Sequence, residues 1–159
     1  MKVLIAMDTS ACSKVALDLL LADRSWPEGT KFRLISCLEP IVRKYPSSMY
    51  YPAEMFDAQE ALRTMLEEMM SNSLDELRKH FPDCEVEGTV VEGLAAETIL
   101  LEAKGWNPDL IVLGSHGRKG FEHFVLGSVA EKVIKEADCA VTVLRAPLHQ
   151  NASGIAVAS

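Results

Sequence analysis

The sequence predicts an α/β protein, an open parallel sheet with helices on both faces. Short apolar runs alternate along the chain with longer amphipathic segments, the order that βαβ units require. One run, Asp109-Leu110-Ile111-Val112-Leu113, is continuously apolar after its aspartate, as in a strand buried on both faces of a parallel sheet. Directly after it a glycine-bearing loop opens a helix from Gly127 to Ala137. In such sheets that junction is where ligands gather.

The elements follow in order. Lys2 to Met7 reads as the first strand, and Ser10 to Ala22 as the first helix, with Thr9 or Ser10 as N-cap and Val15, Leu19 and Ala22 on its apolar face. Pro27 and Gly29 end the connection to a second strand, Lys31 to Cys37. Pro40 to Pro52 is a Pro/Ser/Tyr-rich loop carrying Tyr45, Tyr50 and Tyr51, either a surface contact or a lid. A long helix from about Phe56 to His80 places Ala58, Leu62, Met65, Leu66, Met69, Leu74 and Leu77 at helical spacing, a sheet-covering face. The third strand is Glu85 to Val91, the third helix Ala95 to Lys104, and the closing strand Ala140 to Leu144. The segment 148–159 is small, weakly patterned and expected to be a flexible tail, leaving 1–147 as one domain.

The junction itself reads Gly114-Ser115-His116-Gly117, nine residues, then Gly127-Ser128-Val129-Ala130. Glycines permit positive φ and close approach of backbone to a ligand, while the unpaired amides and positive dipole end of a helix starting near Ser128 attract an anion. Phosphate suits that place, and Ser128 adds a hydroxyl. No Gly-Lys-Ser/Thr ends the loop, and no G-x-G-x-x-G follows the first strand, where Asp8-Thr9-Ser10-Ala11-Cys12-Ser13 stands instead. Both omissions argue against P-loop and dinucleotide readings.

With Gly114, Gly117, Gly127 and Ser128 in a G-x-x-G-x9-G-S/T pattern, the chain resembles the universal stress protein family. The likeness runs over nearly the whole chain, from the opening strand ending in Asp8 through Val91-Glu92-Gly93 to the closing strand. Thr9, where many members have glycine, and Ser36-Cys37, where His-Val is more usual, depart from the pattern. The resemblance implies a Rossmann-like sheet of the adenine nucleotide alpha hydrolase-like type, five parallel strands in the order 3-2-1-4-5. That order sets strands one and four side by side, so the loops after Asp8 and Gly114 converge at the switch point. It also implies ATP as ligand, with or without magnesium, and contacts from Ala6, Met7, Asp8, Thr9, Cys37, Gly114, Ser115, His116, Gly117, Arg118, Gly127, Ser128 and Val129.

Each group has its own chemistry. The Asp8 carboxylate suits ribose hydroxyls or an adenine amino group, or caps the first helix. Ala6-Met7 and Cys37-Leu38, at the ends of neighbouring strands, offer an apolar slot for a base. Arg118 and Lys119 either neutralise phosphate charge or are solvated surface. His116 is assigned no catalytic role, because a loop histidine more often hydrogen-bonds backbone. Any divalent ion would be held mainly by phosphate oxygens, Ser128 and water, and no dedicated metal site is expected. Binding, with at most slow hydrolysis, is the expected function. An ATP-hydrolysing or nucleotidyl-transferring enzyme and a nucleotide-free interaction module are the alternatives.

Composition fits this reading. The 159 residues are 48% hydrophobic, carry a formal net charge of −7 and have a pI near 5.1. An acidic chain works against non-specific binding to nucleic acid or anionic lipid. Only Val3 to Met7 separate Lys2 from Asp8, too short for a signal-peptide core or membrane span, so a cytoplasmic location is expected. Cys12, Cys37, Cys84 and Cys139 form no C-x-x-C pair and read as buried free thiols. The closing strand Ala140-Val141-Thr142-Val143-Leu144 carries no charge or proline; as the sheet edge that the family's strand order implies, it is expected to pair with a second copy in a homodimer, the alternative being cover by the chain's own tail from Pro147 to Ser159.

Overall fold

In the computed structural model, residues 1–23, 25–40, 52–115 and 126–145 are described. They form β1 (Lys2–Met7), α1 (Ala11–Ala22), β2 (Lys31–Leu38), α2 (Ala53–His80), β3 (Glu85–Glu92), α3 (Ala95–Trp106), β4 (Leu110–Gly114), α4 (Ser128–Glu136) and β5 (Ala140–Leu144). The five strands make one sheet in the order β3-β2-β1-β4-β5, with every neighbouring pair parallel. This is the expected architecture, and strand and helix ends differ from the sequence reading by up to three residues, as fraying ends do.

Strand periodicity divides the core into two layers. Val3, Ile5 and Met7 of β1 face one side with Phe32, Leu34, Leu17, Leu20, Met70 and Leu77, while Leu4 and Ala6 face the other with Ile35, Cys37, Ile99, Ile111 and Val133. Thus α1 and α2 cover one face of the sheet, and α3 and α4 cover the other. β1 and β4 are buried on both faces, which is why their sequences are continuously apolar.

Two helix faces differ from expectation. On α1 the inward stripe is Ser13, Ala16, Leu17, Leu20 and Leu21, whereas Val15 is only half-buried and Leu19 and Ala22 are exposed. The segment from Val15 to Ala22 is apolar at every position but Asp18, so periodicity allows more than one stripe. Asp18, paired with Lys14 at 3.1 Å, lies with Val15, Leu19 and Ala22 and excludes that stripe, and the other begins at Ser13. Its hydroxyl is tied to Asp8, and the residues three, four, seven and eight positions on face the sheet with it.

On α2 the buried residues are Leu66, Met70, Ser73 and Leu77, with Met69 and Leu74 packed beside them; Ala58 is exposed and Met65 is 54% exposed. Met65 adjoins the buried Leu66 and simply lies off the inward face, whereas length explains the exposed first turns. Twenty-eight residues of helix span about 42 Å, whereas the eight residues of β3 span roughly 26 Å. Since α2 runs antiparallel to the strands it connects, its first turns pass beyond the C-terminal end of the sheet. The Arg63–Glu92 ion pair at 3.2 Å marks where helix and strand end part company.

The opposite end of the sheet is held by charge. Arg33 of β2 pairs with Glu87 and with Glu102 at 2.6 Å and lies 4.5 Å from the centroid of the Trp106 ring. Lys2 donates to the Trp106 carbonyl at 3.0 Å, and the Lys2 amide donates to the Asp109 carboxylate at 2.7 Å. No described helix is long and apolar enough to cross a membrane.

Candidate nucleotide site

The ends of β1 and β4 lie side by side, with Ala6 opposite Leu113. From there the chain leaves β1 toward α1 on one face of the sheet, while β4 leads toward α4 on the other. A crevice opens where neighbouring connections part in this way. The structure therefore brings together Asp8, Thr9, Gly114, Ser115, Gly127, Ser128 and Val129 from the sequence-derived set, and Cys37 stands at the end of the next strand. His116, Gly117, Arg118 and Lys119 lie outside the described residues, as does most of the Pro40 to Pro52 loop.

Both ends of the loop between β4 and α4 are pinned. The Ser115 amide donates to the Leu144 carbonyl at 2.8 Å, and the Gly127 amide donates to the Ser115 carbonyl at 2.9 Å. These two bonds set the start of α4 against the end of β4. Gly127 is the N-cap and supplies no side-chain cap, so helix geometry leaves the amides of Ser128, Val129 and Ala130 without an intrahelical acceptor. The other helix starts at this end of the sheet differ. Ser10 caps α1 by accepting from the Ser13 amide at 3.2 Å, with the Asp8 carboxylate alongside, and the start of α3 is flanked by Glu92 and Glu97. α4 carries Glu131 in its first turn, paired with Lys135 at 2.6 Å. Its donor set, three consecutive amides and the Ser128 hydroxyl, fits phosphate oxygens, which are acceptors only.

The glycines act otherwise than their type suggests. Gly127 has φ −62° and ψ 146°, a conformation open to any residue. The described glycines with positive φ are Gly29 and Gly93. At Gly114 the constraint is space: an added Cβ would sit 3.2 Å from the carbonyl carbon and Cβ of Cys12. Glycine here lets the first turn of α1 rest on the end of β4, so the expectation of a turn with positive φ gives way to one of close packing.

Asp8 is not the helix cap. Its Oδ1 accepts from the Ser10 amide at 3.0 Å, from the Ser10 hydroxyl and from the Ser13 hydroxyl at 2.6 Å, while Ser10 does the capping. The spacing Asp-x-Ser-x-x-Ser was visible in the sequence, but its meaning depends on where the helix begins. The apolar slot is also redistributed. Ala6 and Cys37 share the face covered by α3, whereas Met7 turns into the opposite layer, because successive residues of a strand alternate. The Ser36 hydroxyl donates to the Met7 carbonyl at 2.8 Å and ties the two strand ends together.

Burial pushes the Cys37 thiol up from 9.0 to about 11, with the neighbouring Glu39 acting in the same direction and the Thr98 hydroxyl against it. Cys37 is thus neutral at physiological pH. The cysteines are free, but Cys12, Cys84 and Cys139 are only half-buried, less enclosed than their sequence context suggested. Among the described residues no cluster of three or more His, Cys, Asp or Glu side chains could hold a metal ion.

The model of the universal stress protein family matches residues 1–145, the whole span from β1 to β5. This chain belongs to that family. Universal stress protein Sll1388 of Synechocystis is 28% identical over 153 residues, covering 91% of this chain and 97% of that protein. Universal stress protein MJ0531 of Methanocaldococcus jannaschii is 36% identical over 90 residues, 55% of this chain and 53% of the relative, so that match spans about half the relative's length. Among solved structures, UspA from Lactobacillus plantarum superposes with a TM-score of 0.72 at 22% identity, covering 91% of this chain and 97% of its own. A family member from Arabidopsis thaliana, solved with AMP bound, superposes with a TM-score of 0.64 at 21% identity, covering 96% of each chain. Universal stress proteins in complex with cAMP and with dAMP share the fold at TM-scores of 0.62 and 0.58.

Proposed function

We propose that this family member binds an adenine nucleotide, ATP in particular, in the crevice at the C-terminal ends of β1 and β4. The observation that carries this is the uncapped start of α4, set at the switch point by the two backbone bonds through Ser115. Phosphates would lie against the amides of Ser128 and Val129, with contacts from His116, Gly117 and Arg118 expected from the sequence pattern alone. The nucleoside would extend toward Asp8 and Thr9, with its base against Ala6 and Cys37 and the Met7 backbone. AMP, cAMP and dAMP in proteins of the same fold support an adenine nucleotide over other anions. A magnesium ion arriving with the triphosphate would screen its charge, held by phosphate oxygens, the Ser128 hydroxyl and water.

In this reading the protein is a cytoplasmic, nucleotide-occupied regulatory or stress-protective module, folded over residues 1–147 and paired through β5, with slow or no hydrolysis. Mass spectrometry of the denatured purified protein tests it directly and is expected to release adenine nucleotide. Protein that carries none and takes up none from millimolar ATP would be a nucleotide-free interaction module instead. Steady-state phosphate release separates a switch from an enzyme, and sustained turnover would overturn the regulatory reading.

A further inference from the structure

Ser13 occupies an unusual place for a hydroxyl. It is 4% exposed, on the inward stripe of α1, where the other members are Ala16, Leu17, Leu20 and Leu21. A buried hydroxyl costs stability unless it is hydrogen-bonded, and alanine would fill a similar space without that cost. The partner is Asp8. Ser13 donates to Asp8 Oδ1 at 2.6 Å and accepts from the Asp8 amide at 3.0 Å, so one side chain grips both the carboxylate and the backbone of the residue that ends β1. Ser10 adds two further donors to the same oxygen.

We propose that Ser13 is a positioning residue of the nucleotide site, holding the Asp8 carboxylate in one rotamer so that its acceptor is already oriented when the nucleoside arrives. This rests on the nucleotide-binding reading above. An untethered aspartate would surrender its rotamer freedom at each binding event. Tethering to a buried helix hydroxyl moves that loss into folding and leaves more of the contact energy for the ligand.

Calorimetric titration of nucleotide-free protein with ATP tests this in the parent, Ser13→Ala, Asp8→Ala and the double variant, each checked by circular dichroism. Ser13→Ala is expected to weaken ATP about fivefold, and the double variant to bind no more weakly than Asp8→Ala alone. Ser13→Thr, which keeps the hydroxyl, should recover most of the loss. An unchanged affinity of Ser13→Ala overturns the proposal. So does an equal fivefold loss in the Asp8→Ala background, because a merely structural hydroxyl would act independently of residue 8. If Ser13→Ala does not fold, Ser13→Cys, a weak donor of similar size, takes its place in the same cycle. A parent that fails to bind ATP would instead refute the nucleotide reading itself.

Discussion

Single residues at this site are defined more by their partners than by their type. Gly127 would be the obvious candidate for a glycine that backbone strain requires, yet its angles are ordinary and its amide is engaged with Ser115. What glycine then contributes is the absence of a side chain beside the donors of α4. Gly127→Val is therefore expected to fold, as judged by circular dichroism, and to lose at least about tenfold in ATP affinity by titration, because a branched side chain would stand where phosphate approaches. A folded variant with parental affinity would place the phosphates elsewhere. Gly114 differs, since a side chain there meets the backbone of α1 and the first cost would be to packing.

At the scale of elements, length and edge position decide most. Leu77 lies on the inward face of α2 and Met65, beside the buried Leu66, lies off it, so Leu77→Ala should cost about 2–5 kcal/mol in urea unfolding, whereas Met65→Ala should stay within about 0.5 kcal/mol. Equal losses would mean that the Met65 face of α2 is covered. The two edge strands also contrast. β3 carries Glu85, Glu87 and Glu92, charges that discourage strand addition, whereas β5 carries none. The Leu144 carbonyl points inward to Ser115, and backbone groups alternate along a strand, so the Val143 amide faces the open edge. Val143→Pro should then leave the ladder to β4 intact while removing an outward donor. Light scattering is expected to find a dimeric parent and a monomeric, folded variant. A monomeric parent, or a folded variant with an unchanged dimer constant, would remove β5 as the interface.

For the whole molecule, ligand binding and stability are linked. ATP at about a hundred times its dissociation constant adds roughly 2.7 kcal/mol, which for a domain of this size raises the melting temperature by roughly 5 to 10 °C. NADH should do much less, since no dinucleotide fingerprint follows β1. Scanning calorimetry on protein first shown to be nucleotide-free makes the measurement, and no shift with millimolar ATP and magnesium would count against binding. Ser115 joins the end of β5 to the start of α4 through its own amide and carbonyl, so a ligand held at α4 would brace the edge of the sheet as well.

The sequence by itself determined the layered α/β architecture and the strand-to-helix junction at which the candidate site lies. Alternating apolar runs and helical stripes dictate βαβ units. A continuously apolar run such as Leu110 to Leu113 must be a strand covered on both faces, and the glycines and Ser128 mark the turn into a helix. The strand order came from the family pattern, since local periodicity carries no information about which strands meet. Only the tertiary structure decided how much of α2 is covered and what Asp8 touches. The inward side of α1 was legible in Asp18, which shares a face with Val15, Leu19 and Ala22 and keeps it toward solvent. What Asp8 touches depends on where α1 begins, because Ser10 and Ser13 reach it only from that first turn. Likewise, helical propensity sets where α2 can form, but burial is set by the length of the sheet beneath it.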